Sequence, residues 1–358
     1  MRVLQLIDSL NPGGAESVAI NLANELVPYI EKSFLCSTRQ EGALRSKLIQ
    51  QVHYLFLNKK NTFDLQSLSN LHKFIKRNKI RIIHAHSTSF FLAVLIKLLN
   101  KKIDIIWHDH YGKSEFLDSR RFRVLKFFSK KFSHIFSVNK ELEKWAIENL
   151  NCQSVSFLPN FSVLKVSNNS STKLNGKDGQ RIVSIANLRT QKDHSTLLHA
   201  MRIVQSTYPD WSLHCIGSNN SDNYALKVES LMKELDLAES VFFYGAQTDI
   251  YSIILQCEIG VLSSISEGLP LALIEYGLGK IAVVVTDVGQ CQEVVGDCGI
   301  VVPSMNKDKL ANGLMTYIKN ESKRSFDSER LFKRIQNNYS KDAIVLEAVK
   351  LYTQISNG

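Results

Sequence analysis

The stretch SISEGLPLALIEYGLGK, residues 264–280, carries two carboxylates eight residues apart in a largely apolar segment. The run GVLSSI at 260–265 is typical of a buried parallel strand, and Pro270 suits the start of a helix, where a missing N–H costs least. Glu267 precedes that helix, and Glu275 falls in its second turn. Because apolar residues surround Glu275, a buried carboxylate there would need a hydrogen-bonding or ionic partner.

These two carboxylates indicate ligand chemistry. A carboxylate has two acceptor oxygens, which suit the adjacent hydroxyls of a ribose. Free backbone N–H groups at the helix start beside Gly268 favour a phosphate. One short loop can therefore hold a sugar hydroxyl, a phosphate and a ribose. The alternative is that Glu275 pairs with a distant Lys or Arg, and the residues alone leave both interpretations open.

Length and composition predict a two-domain globular protein. The chain has 358 residues, of which 44% are apolar, so a sizeable core can be buried. The longest apolar run, residues 90–99, is too short for a membrane span and contains Lys97. The N-terminal sequence MRVLQLID reaches Asp8 before the apolar region of a signal peptide can develop.

The positions of the cysteines indicate the redox compartment, and the net charge indicates the kind of binding partner. The six cysteines are scattered without a Cys-x-x-Cys pair, which argues against a disulfide framework or a zinc site and favours a reducing cytoplasm. The net charge of +10 predicts an anionic partner, namely a nucleotide, a nucleic acid or a membrane surface.

Strand-like and helix-like runs alternate along the chain. They predict an α/β fold with two Rossmann-like parallel-sheet domains. Domain 1 is expected at 1–164 and domain 2 at 181–337, with the polar segment 165–180 as a linker. In domain 1 a turn with Gly13 and Gly14 follows the first strand and lets the backbone approach a ligand at the start of a helix.

Two predicted strands of domain 1 end in histidines, His84 and His86 on one and His108 and His110 on the other, with Asp109 between the latter pair. Carboxyl ends of parallel strands are where ligands gather. The histidines could be ordinary polar residues at the sheet edge or a metal site of three His and one Asp. The sequence shows no pattern of carboxylates or carbonyls that would orient these rings as metal ligands.

The motif of Glu267, Gly268, Pro270 and Glu275, followed by VVVTDVGQCQEVV at 283–295, resembles the two-glutamate signature of the retaining, nucleotide-sugar-dependent glycosyltransferases of family 4. The resemblance covers nearly the whole chain. It implies the GT-B fold, in which two Rossmann-like domains face a cleft and a C-terminal helix, here 338–358, crosses back to domain 1. It also implies hexosyl transfer from a UDP- or GDP-sugar to a glycan or lipid-linked acceptor of the bacterial surface-polysaccharide kind.

The resemblance also implies roles for single residues. Glu275 would bind the donor ribose and Glu267 the sugar ring, with His110 as a second sugar contact and His86 only on the acceptor side. The donor would also be bound by the residues of two loops and a basic pair: Gly13, Gly14, Gly268, Leu269, Pro270, Leu271, Arg189 and Lys192. Family members carry an Arg five residues before the Lys; here that position is Asn187, and Arg189 is a substitute.

Cofactor chemistry is not expected. No Asp-x-Asp pair is present to hold a metal on the donor diphosphate, so the sequence predicts no metal and no cofactor. Two alternative functions remain at this point. One is a nucleotide-sugar epimerase of similar fold, which would convert the donor without an acceptor. The other is a basic nucleic-acid-binding protein, for which no binding module is recognisable.

The segment SRRFRVLKFFSKKFSH, residues 119–134, predicts an amphipathic helix. Its apolar face would comprise Phe122, Leu125, Phe128 and Phe132. Its opposite face would comprise Arg120, Arg123, Lys126, Lys130 and Lys131, with Phe127 among them. A solvated helix face explains the charges, whereas an aromatic among cations suits an anionic bilayer. We therefore expect a cytoplasmic protein that binds the inner membrane face peripherally through this segment, and no nucleic-acid partner.

Overall fold

The computed structural model describes residues 1–112, 114–163, 172–219 and 221–357, without the side chains of 114–116. The chain forms two compact units. Unit 1 comprises Met1–Ser162 together with Lys341–Gly358, and unit 2 comprises Val163–Ser340. Residues 165–171, seven of the sixteen residues in the predicted linker, lie outside the described residues.

Each unit contains one parallel sheet, as the alternating sequence pattern predicts. The strands of unit 1 are β1 Arg2–Ser9, β2 Lys32–Gln40, β3 His53–Phe56, β4 Ile82–His86, β5 Asp104–Asp109, β6 His134–Ser137 and β7 Val155–Phe157. Those of unit 2 are β8 Arg181–Ile185, β9 Ser212–Ile216, β10 Val241–Phe243, β11 Ile259–Leu262, β12 Ala282–Thr286 and β13 Ile300–Val302.

The described helices follow the strands in turn. They are α1 Gly14–Glu25, α2 Leu65–Asn78, α3 Phe90–Leu99, α4 Arg123–Ser129, α5 Lys140–Asn149, α6 His194–Thr207, α7 Asn223–Glu234, α8 Ile250–Ile254, α9 Leu271–Leu278, α10 Cys291–Val295, α11 Lys307–Lys319, α12 Glu321–Asn338 and α13 Lys341–Asn357. Several begin after an Asp or Asn whose side chain accepts a backbone N–H of the first turn, as Asp64 does from Ser67 and Asn139 from Leu142.

Strand order places the carboxyl-end loops of each sheet. It is β3-β2-β1-β4-β5-β6-β7 in unit 1 and β10-β9-β8-β11-β12-β13 in unit 2. The chain changes direction across the sheet between β1 and β4, and again between β8 and β11. Ligands of open parallel sheets bind outside the strand ends at such points. The loops after these four strands are therefore where a site is expected.

The C-terminal helix completes unit 1. Lys341 at the start of α13 donates to Glu25 of α1 at 2.8 Å, and the fully buried Tyr352 is hydrogen-bonded to His84 of β4 at 2.5 Å. Both contacts join the last turns of the chain to elements formed by its first hundred residues.

The basic segment 119–134 differs from the expected continuous helix, because α4 covers only seven of its residues. Its apolar side is as predicted, with Leu125 and Phe132 buried in the core of unit 1. Arg120, however, does not join the basic face. It donates two hydrogen bonds to the buried Asp109, at 2.6 and 2.8 Å, and lies over the Trp145 ring at 4.2 Å. An arginine that can satisfy a buried carboxylate bidentately is held there rather than in solvent.

Across the described part of the chain, no helix combines the length and the apolar character that a transmembrane span requires.

Candidate active site

The loops after β8 and β11 meet at the direction change of the sheet in unit 2. The loop after β8 contains a 3₁₀ turn, Thr190–Lys192, and leads into α6. The loop after β11 contains Glu267 and leads into α9. The backbone N–H of Ile265 donates to the carbonyl of Gln191 at 2.9 Å, which fixes the two loops side by side. Topology therefore brings together two sequence-predicted residues that lie far apart along the chain.

Lys192 and Glu267 are in direct contact. The Lys192 ammonium donates to Glu267 Oε1 at 2.5 Å, and the Ser264 hydroxyl donates to the same oxygen at 2.6 Å. The Lys192 side chain is 19% exposed and that of Glu267 is 6% exposed. A cation and a carboxylate, both largely withdrawn from water and held by hydrogen bonds, make a preorganised polar centre.

Gly289 fixes the backbone around Glu267. It lies in the loop after β12 with φ +51, a conformation that favours glycine, and a Cβ there would collide with the carbonyl oxygen of Glu267. The next residue, Gln290, donates its backbone N–H to the carbonyl of Gly268 at 3.1 Å. The 283–295 part of the motif thus has a structural role: its glycine allows the β12 loop to support the Glu267–Gly268 backbone.

The predicted helix start is confirmed, since Pro270 directly precedes α9. Leu269 and Leu271 are buried at 4% and 9% exposure and pack in the core of unit 2, so only their backbone is available to a ligand. Glu275 is partly exposed rather than buried. The expected cost of burying its charge is therefore smaller than the surrounding apolar sequence indicates.

Tyr276 positions the helix that carries Glu275. It is fully buried, and its hydroxyl accepts the backbone N–H of Ile185, the last residue of β8, at 2.7 Å. Burial raises the pKa of this phenol well above its ordinary value, so the hydroxyl stays protonated. Sequence reasoning treated Tyr276 only as one of the apolar neighbours of Glu275 and missed this contact.

Arg189 and Asn187 lie on the same loop as Lys192. Arg189 is exposed and precedes the 3₁₀ turn. The side-chain oxygen of Asn187 accepts the backbone N–H of Ser218 at 2.8 Å, which ties this loop to the end of β9. Asn187 thus serves the loop's own conformation at the position where the family carries an arginine.

In unit 1, Gly13 and Gly14 open α1 just after β1. Gly13 is extended, with φ −174, and its carbonyl accepts the backbone N–H of Ser17 at 3.0 Å. A Cβ on Gly14 would meet no described atom within 4 Å. Steric contacts within the described chain therefore do not explain the glycine at 14, and close approach of a ligand remains the sequence-based prediction for it.

The strand-end histidines of unit 1 form one stacked cluster. His108 and His110 have ring centroids 4.1 Å apart, and His84 and His86 have theirs 4.6 Å apart. His84 is hydrogen-bonded to His108 at 3.2 Å, and His86 to His110 at 3.0 Å. His84, His86 and His108 are fully buried, whereas His110 is partly exposed.

Burial makes this cluster neutral. It lowers the pKa of His110 to about 3 and those of His84, His86 and His108 well below their ordinary value. His86 has no exposed surface, and its two ring nitrogens are hydrogen-bonded to Gln5 and His110, which argues against the expected acceptor contact at this residue.

Among the described residues, one group has the spacing of a metal site: His84, His86 and His108, whose ligand atoms lie within 4.8 Å of one another. Asp109, the aspartate that the sequence analysis grouped with these histidines, forms an ion pair with Arg120 instead. Both nitrogens of His84 and of His86 are already hydrogen-bonded, in each case to one other histidine and to one residue outside the cluster, Tyr352 for His84 and Gln5 for His86. These bonds explain His84 and His86 as parts of a polar network, whereas Nε2 of His108 is buried without a hydrogen-bond partner among the described residues.

Comparison with known families extends this picture. Residues 12–161 match the model described as Glycosyltransferase Family 4, and residues 167–334 match the model described as Glycosyl transferases group 1. The chain is 27% identical over 305 residues to the O-antigen biosynthesis glycosyltransferase WbnH of Escherichia coli, a match that covers 83% of this chain and 84% of the relative.

Two further proteins show how far the similarity extends. Over 146 residues the chain is 30% identical to the N-acetylgalactosamine-N,N'-diacetylbacillosaminyl-diphospho-undecaprenol 4-alpha-N-acetylgalactosaminyltransferase of Campylobacter jejuni, covering 40% of this chain and 38% of that one. The crystal structure of Anabaena Alr3699/HepE in complex with UDP-glucose superposes with a TM-score of 0.82 at 17% identity, covering 99% of this chain and all of that one.

These findings favour a glycosyltransferase over the epimerase and the nucleic-acid-binding protein that the sequence left as alternatives. The fold similarity agrees with the two parallel sheets described above. The family matches include both glutamates of the motif and the Lys192 loop. The chain is a hexosyltransferase that belongs to the family 4, group 1 type of glycosyltransferases with the GT-B fold.

Proposed function

We propose that this glycosyltransferase moves a hexosyl group from a UDP- or GDP-sugar to a hydroxyl of a glycan or lipid-linked acceptor, with retention of anomeric configuration and without a metal ion. The observation that carries the proposal is the contact between Lys192 and Glu267 at the strand ends of unit 2. It places a cation, a carboxylate and the start of α9 on adjoining loops.

The reaction breaks the bond between the sugar's anomeric carbon and the diphosphate oxygen and forms a bond from that carbon to the acceptor oxygen. The proton of the acceptor hydroxyl passes to the departing diphosphate, which balances the step. Negative charge develops on the departing nucleoside diphosphate. Lys192 can neutralise that charge, and the backbone N–H groups at the start of α9 add a positive dipole end. Arg189, which is exposed beside the 3₁₀ turn, is a second candidate cation.

Donor orientation is assigned to the carboxylates. Glu275, on the turn of α9 that Tyr276 fixes against β8, would accept hydrogen bonds from the ribose diol. Glu267 would exchange its contact with Lys192 for one with the sugar ring as the diphosphate takes the ammonium. His110 is the second sugar contact, and Gly13 and Gly14 allow the donor phosphates to approach the backbone of α1.

The names of two relatives, which refer to O-antigen biosynthesis and to an undecaprenol-linked sugar, support this acceptor class. A lipid-linked acceptor lies at a membrane, and unit 1 carries a surface that fits one. Val124 and Phe127 of α4 are each 59% exposed, and Lys130 lies over the Phe127 ring at 4.6 Å. Exposed cations surround them: Arg121, Arg123, Lys126, Lys130 and Lys131.

Aromatic contacts continue this surface beyond α4. Phe127 contacts Phe128, Phe128 contacts Phe91, and Phe91 contacts Phe63, with ring centroids 5.0, 5.6 and 5.6 Å apart. Phe63 is 73% exposed. Exposed aromatics between cations favour insertion at the boundary of an anionic bilayer. We therefore propose that the enzyme works at the cytoplasmic face of the membrane.

A screen of nucleotide sugars by thermal unfolding tests the donor assignment. A ligand that binds only the folded state raises the unfolding temperature. We expect one UDP- or GDP-sugar, and its free nucleoside diphosphate, to stabilise the protein with EDTA present. Stabilisation by no nucleotide sugar would contradict the proposed function.

A further inference from the structure

A buried glutamine of β1 controls the hydrogen bonding of the partly exposed His110. Gln5 has no exposed surface, and its side-chain oxygen lies 2.8 Å from Nε2 of His86. The other ring nitrogen of His86, Nδ1, lies 3.0 Å from Nε2 of His110. Gln5, His86 and His110 therefore form one chain from the middle of the sheet to its carboxyl edge.

The direction of every hydrogen bond in this chain follows from its first member. An amide oxygen can only accept, so Nε2 of His86 must carry the proton and donate. In a neutral imidazole the other nitrogen is then an acceptor, so Nδ1 of His86 accepts from Nε2–H of His110. This leaves Nδ1 of His110 with a lone pair.

The surroundings keep the rings neutral. His86 is stacked on His84 with ring centroids 4.6 Å apart, and the tilted ring of His110 has its centroid 4.1 Å from that of His108. A positive charge on either ring would therefore face other imidazoles without a carboxylate in the chain. Burial lowers the pKa of His86 well below its ordinary value and agrees with this arrangement. Each ring therefore has one donor and one acceptor nitrogen.

We propose that Gln5 and His86 are positioning residues that hold His110 in the Nε2-protonated tautomer, so that its Nδ1 accepts a hydrogen bond from a hydroxyl of the donor sugar. The inference rests on the proposed function, which assigns the donor sugar to His110. It also defines the substrate class: the sugar must present a hydroxyl to His110, and a sugar with only a carbonyl or carboxylate there leaves Nδ1 unpaired and is rejected.

The tautomer can be measured without any substrate. In protein labelled with ¹⁵N-histidine, two-bond ¹H–¹⁵N correlation spectra distinguish protonated from unprotonated ring nitrogens, and a His110→Asn variant assigns the His110 signals. We expect Nε2 protonated and Nδ1 unprotonated in both His86 and His110. A proton on Nδ1 of His110 would overturn the proposal, because it corresponds to a Gln5 amide turned so that it donates to His86.

Two variants test the positioning role. Gln5→Leu removes the acceptor that fixes the chain, so we expect the Nδ1-protonated form of His110 to appear and kcat to fall roughly 10-fold with little change in KM. His86→Asn keeps an oxygen near the position of Nδ1 that can accept from His110, so its kcat should exceed that of His86→Leu. Equal kcat values in these two His86 variants, or an unchanged tautomer in Gln5→Leu, would contradict the positioning role.

His134→Asn is the matched control. His134 is a buried histidine of the same sheet, with ring nitrogens 2.7 and 3.0 Å from the hydroxyls of Ser154 and Ser156, outside the Gln5 chain. The His134→Asn variant should be less stable than the unaltered protein, with the same His110 tautomer and the same kcat. Should no nucleotide sugar serve as donor, the proposed function and the sugar contact both fail, while the spectra still decide the Gln5–His86 chain separately.

Discussion

Lys192 and Glu267, 75 residues apart in the sequence, meet at 2.5 Å between the loops that follow β8 and β11. The same two loops are the ones that the change of direction in the unit 2 sheet exposes to a ligand. Because Glu267 is nearly buried, its charge depends on the contacts with Lys192 and Ser264. The pair should therefore affect both the free energy of unfolding and the binding of a nucleoside diphosphate. Each effect can be measured.

Lys192→Met should weaken nucleoside diphosphate binding by about 1.5–3 kcal/mol, the value of a hydrogen bond to a charged group. It should also lower the free energy of unfolding, because Glu267 is left buried without its cation. Titration calorimetry and urea unfolding measure the two effects. The matched control is Lys280→Met. This variant removes an exposed ion pair with Glu329, at 3.2 Å, and losing that pair should cost under about 1 kcal/mol. Similar losses in the two variants would contradict the assignment of Lys192.

Glu275→Ala should leave the protein folded and reduce affinity for the nucleoside diphosphate by about 1.5–3 kcal/mol, since two ribose hydroxyls lose their acceptor. Glu275 is partly exposed, so the substitution leaves no large cavity. Titration calorimetry of the variant beside Glu329→Ala, an exposed carboxylate of α12, measures the effect. Unchanged affinity in Glu275→Ala would show that the ribose assignment is wrong.

Transfer should continue in excess EDTA, because the proposed leaving-group charge is neutralised by Lys192 and the start of α9 rather than by a metal. The measurement is the rate of nucleoside diphosphate release with and without chelator. A large loss that magnesium or manganese restores would falsify the metal-free mechanism. The cluster of His84, His86 and His108 would then be the first place to look for a metal.

The fold was predictable because its signals are local. Apolar runs alternating with amphipathic ones predict parallel sheets whatever the rest of the chain does, and the Glu267–Glu275 motif lies on one continuous strand–loop–helix unit. The contacts that support the site were not predictable, since they join distant segments. In the sequence Gln5 is one polar residue in an apolar strand, and its contact with His86 is visible only in the folded sheet. Gly289 likewise has the pattern of an ordinary turn glycine, and only the structure shows that it lies against the backbone of Glu267.

In the basic segment, residues 119–134, one sequence-based prediction was wrong. Helical periodicity correctly placed Leu125 and Phe132 in the core and Phe127 on the surface, but it also assigned Arg120 to the exposed basic face. A helical projection counts only neighbours along the chain. It cannot register Asp109, eleven residues earlier, which holds Arg120 in a buried ion pair and lies before the helix begins.

Anionic liposomes should bind the protein in a salt-sensitive manner, because each basic residue near such a surface contributes about 1 kcal/mol. Charge reversal at Arg123, Lys126 and Lys130 should abolish most of the binding in a flotation assay. The matched control reverses three exposed lysines of α11 in unit 2: Lys307, Lys309 and Lys319. Equal binding to neutral and anionic liposomes, or equal loss in the two triple variants, would contradict the membrane surface on α4.

Acidification should destabilise the protein well before its carboxylates titrate. Burial depresses the folded-state pKa of His110 to about 3 and that of His134 to about 4, so between these values and the ordinary pKa near 6.5 the unfolded chain binds more protons. The contribution of each such histidine to the free energy of unfolding is fully present above about pH 6.5. Below that pH it falls by about 1.4 kcal/mol per pH unit. Urea unfolding at pH 7 and pH 5 checks this, and equal midpoints would contradict it.

Acceptor-dependent transfer tests the central claim most directly. The protein is incubated in EDTA with radiolabelled UDP- and GDP-sugars, with and without a bacterial lipid extract that contains polyprenyl-diphosphate sugars. We predict that one donor releases its nucleoside diphosphate, that its label moves to the lipid fraction only when the extract is present, and that Lys192→Met slows both events together. Conversion of the donor at the same rate without the extract, or consumption of no donor at all, would contradict the account.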